Sequence, residues 1–97
     1  MRIIAKSTLK EFWGKHNDAE IPLKTWHKIV EKQQWKNTHN IKQLFGNASI
    51  IGNNRVVFNI KGNDYRLVTY IVFRVQKVFI RFIGTHKEYD KIDAKTI

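Results

Sequence analysis

Arg55-Val56-Val57-Phe58-Asn59-Ile60, then Lys61-Gly62-Asn63-Asp64, then Tyr65-Arg66-Leu67-Val68-Thr69-Tyr70-Ile71-Val72-Phe73-Arg74 run on without a break in the second half of the chain. The outer runs are rich in β-branched and aromatic residues and the four between them favour a turn, so the pattern predicts two antiparallel strands joined at Lys61–Asp64. Tyr65–Arg74 is apolar at odd and even positions alike, as a central strand covered on both faces should be. Working outward, Ser49-Ile50-Ile51 reads as a short strand entering the turn Gly52-Asn53-Asn54. Past Val75-Gln76 the chain turns into a last strand, Lys77–Ile83, before Gly84-Thr85-His86-Lys87-Glu88-Tyr89-Asp90.

Ahead of residue 49 the apolar period is helical. Ser7 or Thr8 can cap a helix with Leu9, Phe12, Trp13 and His16 on one face, ended by Asn17-Asp18. Ala19–Gln34, with Pro22 in a first turn and Leu23, Trp26, Ile29 and Val30 in line, gives a second. A third, shorter helix runs from a Thr38 cap through Ile41, Leu44 and Phe45 to Gly46, where a left-handed stop costs least. Arg2–Ala5 reads as one more strand. The predicted class is α+β: an antiparallel sheet of about four to five strands, the N-terminal strand plus a C-terminal meander, with about two to three helices packed on one face. The other face is expected to be concave and open.

Residues 1–97 are one domain on this reading, because the length is too short for two independent cores. No cysteine is present, which fits a reducing cytosol and excludes disulfides and thiolate metal sites. No apolar run approaches the length of a membrane span and the first residues lack a signal-peptide pattern, so a cytoplasmic protein without membrane contact is expected. Net charge is +10, and each half of the chain (residues 1–48 and 49–97) carries 9 basic and 4 acidic residues. The charge therefore belongs to the folded body and not to a tail, which points to a surface that faces phosphate or an acidic partner.

Gly-rich phosphate loops, GxSxG and zinc-ligand spacings are absent, and the four histidines fall in different elements, so neither a metal nor a cofactor is predicted. Glu88 and Asp90, set among Lys87 and Lys91, read as surface charge balance. What remains is a basic and polar set on the strands, Asn59, Lys61, Arg66, Arg74 and Arg81, followed by His86, Lys87 and Tyr89. Cleaving RNA without a metal needs a group to take the 2′-hydroxyl proton, cations to stabilise the phosphorane, and an acid for the leaving oxygen. Arg66 is singled out because an arginine between apolar strand neighbours needs a reason, and its planar fork suits phosphate; the bland alternative pairs it with a carboxylate such as Asp64. His86 is placed to give or take a proton, and Tyr89 to stack on a base. Lys61 is expected to act with Arg66 on the developing charge, helped by Arg81, and Asn59, Arg81, Lys87 and Arg74 complete the surface as RNA contacts.

Several blocks carry a resemblance: Arg2-Ile3-Ile4, Leu9-Lys10-Glu11-Phe12-Trp13, Asp18-Ala19-Glu20, Pro22-Leu23, Trp26 and Trp35-Lys36, then Asn53–Asn63, Tyr65-Arg66-Leu67-Val68 and Ile80–Asp90. The most specific are Val57-Phe58-Asn59-Ile60 with Tyr65-Arg66-Leu67, and Gly84-Thr85-His86 with Glu88-Tyr89-Asp90. Over nearly its whole length the chain resembles the HigB toxins of type II toxin–antitoxin systems, in the RelE-like superfamily. The resemblance implies a RelE-like fold, cleavage of messenger RNA at the ribosome's 30S A site, and neutralisation by a HigA-type antitoxin with a helix-turn-helix domain. It supports Arg66, His86 and Tyr89 as site positions, with Lys61 and Asn59 on the same surface. Two competing readings share the scaffold: a non-catalytic toxin of the ParE kind that inhibits DNA gyrase, and a plain RNA-binding domain.

Overall fold

The computed structural model describes residues 1–97. Nine elements follow in order: β1 (Arg2–Ile4), α1 (Lys6–Lys15), α2 (Glu20–Glu31), α3 (Thr38–Leu44), β2 (Ser49–Gly52), β3 (Arg55–Ile60), β4 (Tyr65–Val72), β5 (Lys77–Thr85) and α4 (His86–Tyr89), with short 3₁₀ turns at Asn17–Ala19 and Phe73–Val75. The sheet order is β1-β5-β4-β3-β2. As predicted, β2 to β5 form an antiparallel meander. β1 joins differently: it lies parallel to β5, Arg2 beside Lys77 and Ile4 beside Phe79, so the sheet is mixed.

The helices cover one face through a core centred on Phe58, whose ring meets Trp26, Trp35 and Phe45 at centroid separations of 5.3, 6.5 and 5.1 Å. Leu9 of α1, Leu23 and Val30 of α2 and Ile41 of α3 are fully buried against Val56, Leu67 and Ile71 of the sheet. These are the apolar positions of the helical periodicity, and their burial is the main source of stabilisation, about 1.5–3 kcal/mol for each large side chain.

Helix boundaries depart from expectation for local reasons. Neither Ser7 nor Thr8 caps α1, because pairing with β5 holds the chain extended through Ile4 and the helix starts at once behind an extended Ala5. α2 stops at Glu31 instead of Gln34. Asn37, not Thr38, caps α3, in a reciprocal box with Asn40. Gly46 is not left-handed: the chain leaves α3 one residue earlier, at Phe45, whose φ is −120° and whose amide closes the last turn on the Ile41 carbonyl at 2.7 Å, while the Lys42 ammonium ties down the Gly46 and Ala48 carbonyls of the loop, each at 2.8 Å.

The second face of the sheet is not wholly open. Val57, Val68 and Ala94 form a smaller buried cluster, against which Ile51, Phe82, Tyr89, Ile92 and Ile97 pack. The segment after β5 thus folds back over this face, with Tyr89 against Arg66 at one end and the Ile97 carbonyl on Arg55 at the other, so the expected open face is partly covered. No helix is long and apolar enough to cross a membrane.

Candidate active site

Backbone hydrogen bonding decides which strand residues meet on the second face. The Ile71 amide donates to the Asn54 carbonyl at 2.8 Å. Asn54 and Ile71 are therefore a hydrogen-bonded pair of the β3–β4 ladder, and alternation makes Asn59 and Arg66, which face each other, a non-hydrogen-bonded pair. In such pairs the Cα atoms approach to about 4.5 Å and the side chains are at their closest. The Arg66 guanidinium accordingly donates an Nη1–H to the Asn59 amide oxygen. It lies 5.8 Å from the ring centre of Tyr89, and Tyr89 is itself held against the small cluster of Val57 and Val68.

Arg66 is half-buried and forms no ion pair. Its Nε is buried and unpartnered. Asp64, its possible partner on sequence grounds, is 3.4 Å from Lys61 instead. A guanidinium oriented by an amide and an aromatic ring, with donors left over and no carboxylate, has the chemistry to bind an anion.

On its other side Arg66 faces Gly84. A Cβ on Gly84 would lie 2.5 Å from the Phe82 ring and 3.1 Å from Glu88 Oε1, so only glycine lets the ring and carboxylate close over β5 here. Directly after it the chain forms α4. Thr85 caps this helix: its hydroxyl accepts from the Glu88 amide at 3.2 Å while the Glu88 carboxylate accepts from the Thr85 amide at 2.8 Å. The Thr85 amide and hydroxyl hold the Glu88 carboxyl below the usual carboxylate range.

His86 is then the first residue of a helix, not a turn residue, and a helix sets Asp90 one turn on. Its Nδ1 lies 3.2 Å from Asp90 Oδ2. With a carboxylate at Nδ1 the favoured neutral tautomer carries its proton there, leaving the Nε2 lone pair free to accept one. Reading Glu88 and Asp90 as charge balance is thus corrected: one caps the helix and the other orients the histidine. The Thr85–Glu88 spacing of a capping box was the sequence signal for this helix.

Lys61 and Arg74 do not join the cluster. Lys61 sits in the β3–β4 turn with a left-handed φ of 53° and turns to the helical side, where its ammonium is 2.7 Å from Asp18 Oδ2. The Tyr65 hydroxyl donates to the other oxygen of Asp18. The Lys61 and Tyr65 hydrogen bonds lower the Asp18 pKa, and the same carboxylate raises those of Lys61 and Tyr65. Arg74 falls in the 3₁₀ turn beyond the far end of β4, which stops at Val72 because Phe73–Val75 coils and Gln76 adopts a left-handed φ of 57°. At about 3.3 Å per residue, Arg74 is about 20 Å or more from Arg66. Arg81 is exposed on β5 at an irregularity, where Val68 faces Phe82 but Thr69 faces Ile80 and Arg81 is the extra residue. Lys87 is exposed on α4 beside His86. No three His, Asp or Glu side chains converge as metal ligands.

Of the 18 lysines and arginines, Lys24 and Lys61 alone are in ion pairs, so the surface keeps most of its positive charge. A family model described as HigB_toxin, RelE-like toxic component of a toxin-antitoxin system, matches residues 19–92. The chain is 30% identical over 96 residues to the mRNA interferase toxin HigB of Escherichia coli (strain K12), covering 97% of this chain and 92% of that protein. The same figures hold for the mRNA interferase HigB of Shigella flexneri. The mRNA interferase HigB of Escherichia coli O6:H1 is 26% identical over 94 residues, 95% of this chain and 91% of the relative.

Proposed function

The chain belongs to the HigB family of RelE-like toxins, the toxic components of toxin–antitoxin systems, and from that premise we propose that it is an endoribonuclease that cuts messenger RNA at the Arg66 cluster. The observation that carries this reading is Arg66 itself: an oriented, half-buried guanidinium with no anionic partner, on a basic protein whose relatives are named mRNA interferases.

The proposed reaction is transesterification. The ribose 2′-oxygen gives up its proton to His86 Nε2, while Asp90 steadies the imidazolium that results. The 2′-oxygen bonds to the adjacent phosphorus, and Arg66 stabilises the charge gathering on the phosphate oxygens. The bond to the 5′-oxygen breaks, and that oxygen takes up a proton from solvent water, while the proton held by His86 is returned to solvent. The products are a 2′,3′-cyclic phosphate and a 5′-hydroxyl. Tyr89 backs the guanidinium with its ring, a positioning role in place of base stacking. Arg81 and Lys87 extend the cationic track for neighbouring phosphates, and Lys61 instead fixes the turn that ends β3. The antitoxin is of the HigA type, with a helix-turn-helix domain, and cleavage takes place in the A site of the ribosome.

The test is induced expression in growing cells, with primer-extension mapping of messages, for the wild type and Arg66→Ala. New ends inside translated regions that vanish in the variant are the expected result. Growth arrest with intact messages would sink the proposal in favour of a gyrase poison, and 5′-phosphate ends would exclude the chemistry.

A further inference from the structure

Beside the Arg66 cluster lies a cleft that the chemistry above does not use. β2 pairs with β3 only as far as Ser49 opposite Val57, so the last part of β3 has no strand beside it. The ladder alternation that turns Asn54 toward β4 turns the backbone N–H and C=O of Asn59 the other way, to this vacant edge. The loop between α3 and β2 curls past the gap and leaves a cleft of about 280 Å³ lined by Leu44, Phe45, Gly46, Asn47, Phe58 and Asn59. Asn59 therefore has two faces: its side chain holds Arg66, and its backbone looks into the cleft.

The loop is fixed in place. Lys42 bridges the Gly46 and Ala48 carbonyls, the Ala48 amide donates to the Phe45 carbonyl at 3.0 Å, and the Phe45 ring packs edge-on to Phe58. Between the two bridged carbonyls only the exposed side chain of Asn47 is left free. Leu44 is 46% exposed, large and apolar at the mouth. A largely polar lining with carbon surface from exposed Leu44 and half-buried Phe45, an amide side chain and an unpaired peptide edge at Asn59, beside the Arg66 guanidinium, match a nucleobase: its flat face meets Leu44 and Phe45, and its edge presents neighbouring donor and acceptor groups. The volume is below the roughly 300 Å³ at which drug-sized ligands are held, and suits one ring system.

We propose that this cleft receives a nucleobase next to the scissile phosphate and gives the enzyme its base preference. The proposal rests on the ribonuclease reading. Two substitutions probe it without touching the Arg66 cluster. Gly46 has an ordinary φ and open space around a built Cβ, so Gly46→Phe can add a ring to the cleft lining without strain. Asn47→Ala removes the free amide from an exposed position.

Both variants, the wild type and Arg66→Ala are induced in growing cells, the ends of message fragments are mapped, and base frequencies on either side of each cut are compared. The wild type is expected to favour particular bases at one flanking position. Asn47→Ala should relax that bias, by about tenfold at the most favoured base, while cutting continues. Gly46→Phe should change the bias, or stop cutting in a chain that still melts like the wild type. Base frequencies equal to wild type in both variants would overturn the cleft's role while leaving the ribonuclease intact. A wild type that yields no Arg66-dependent ends would overturn the ribonuclease reading, and the subsite with it.

Discussion

Two arginines stand at opposite ends of the same sheet face, each against a tyrosine: Arg66 by Tyr89 and Arg55 by Tyr70, at 5.8 and 4.8 Å from the ring centres. Their surroundings part them. Arg55 gives its Nε–H and an Nη–H to the Ile97 carbonyl and another Nη–H to the Asn53 carbonyl, so its fork is filled by backbone oxygens. Arg66 gives one bond to an amide and keeps the rest, including a buried Nε with no acceptor. A buried donor without a partner costs about 1–3 kcal/mol, so the Arg66 end carries a hydrogen-bonding deficit that the Arg55 end does not. The same residue type on the same face is a fastener in one place and, on the proposed function, a phosphate receptor in the other, and hydrogen-bond completeness separates them.

Exchanging the fates of these arginines gives the largest effects. Arg66→Ala should cut the rate of RNA cleavage by about 10²–10³-fold, as loss of a donor to a transition-state oxygen does elsewhere. Arg55→Ala should leave cleavage within about threefold of wild type and instead lower unfolding stability in urea by about 1–2 kcal/mol. Equal losses of activity from both would erase the distinction. His86→Gln should abolish cleavage but leave RNA binding, measured by filter retention. Asp90→Asn should cost less, about tenfold, since it only orients the ring. If His86→Gln cuts normally, the histidine is a helix residue and no more.

A smaller effect is expected from Gly84→Ala, which forces Phe82 and Glu88 apart beside Arg66. It should cost about 1–3 kcal/mol of stability and reduce cleavage at the Arg66 end without loosening Arg55, whose guanidinium Nε–H, bonded to the Ile97 carbonyl, can be followed by its own exchange in NMR spectra. The smallest concerns pH. The Asp18 carboxyl is held down by Lys61 and Tyr65, so its share of stability is present above the ordinary carboxylate range and is lost as pH falls through its lowered folded value. Asp18→Asn should therefore melt lower than wild type near about pH 7, the gap closing as the pH falls below the ordinary carboxylate range. A gap independent of pH would mean that the carboxylate's charge contributes nothing.

Much of this was legible in the residues. The change of period at Ser49, the turns at Gly52–Asn54 and Lys61–Asp64, and the doubly apolar Tyr65–Arg74, of which β4 takes only Tyr65–Val72, defined the meander, because strand and turn preferences depend on near neighbours. Pairing across a short turn also follows from the sequence, so Asn59 and Arg66 could be placed side by side. Distance in the chain marks where legibility stopped. Lys61 was read as a phosphate contact, but its partner Asp18 lies 43 positions away on the helical layer, and which acid captures a lysine is settled only when layers pack. β1 crosses to β5 in parallel over more than seventy residues, which no local period reports. The segment after β5 covers the second sheet face, and α4, a single turn held by its cap and by contact with the sheet, brings Asp90 to His86. An isolated helix of four residues has no stability of its own, so only the tertiary structure could decide that His86 stands on one.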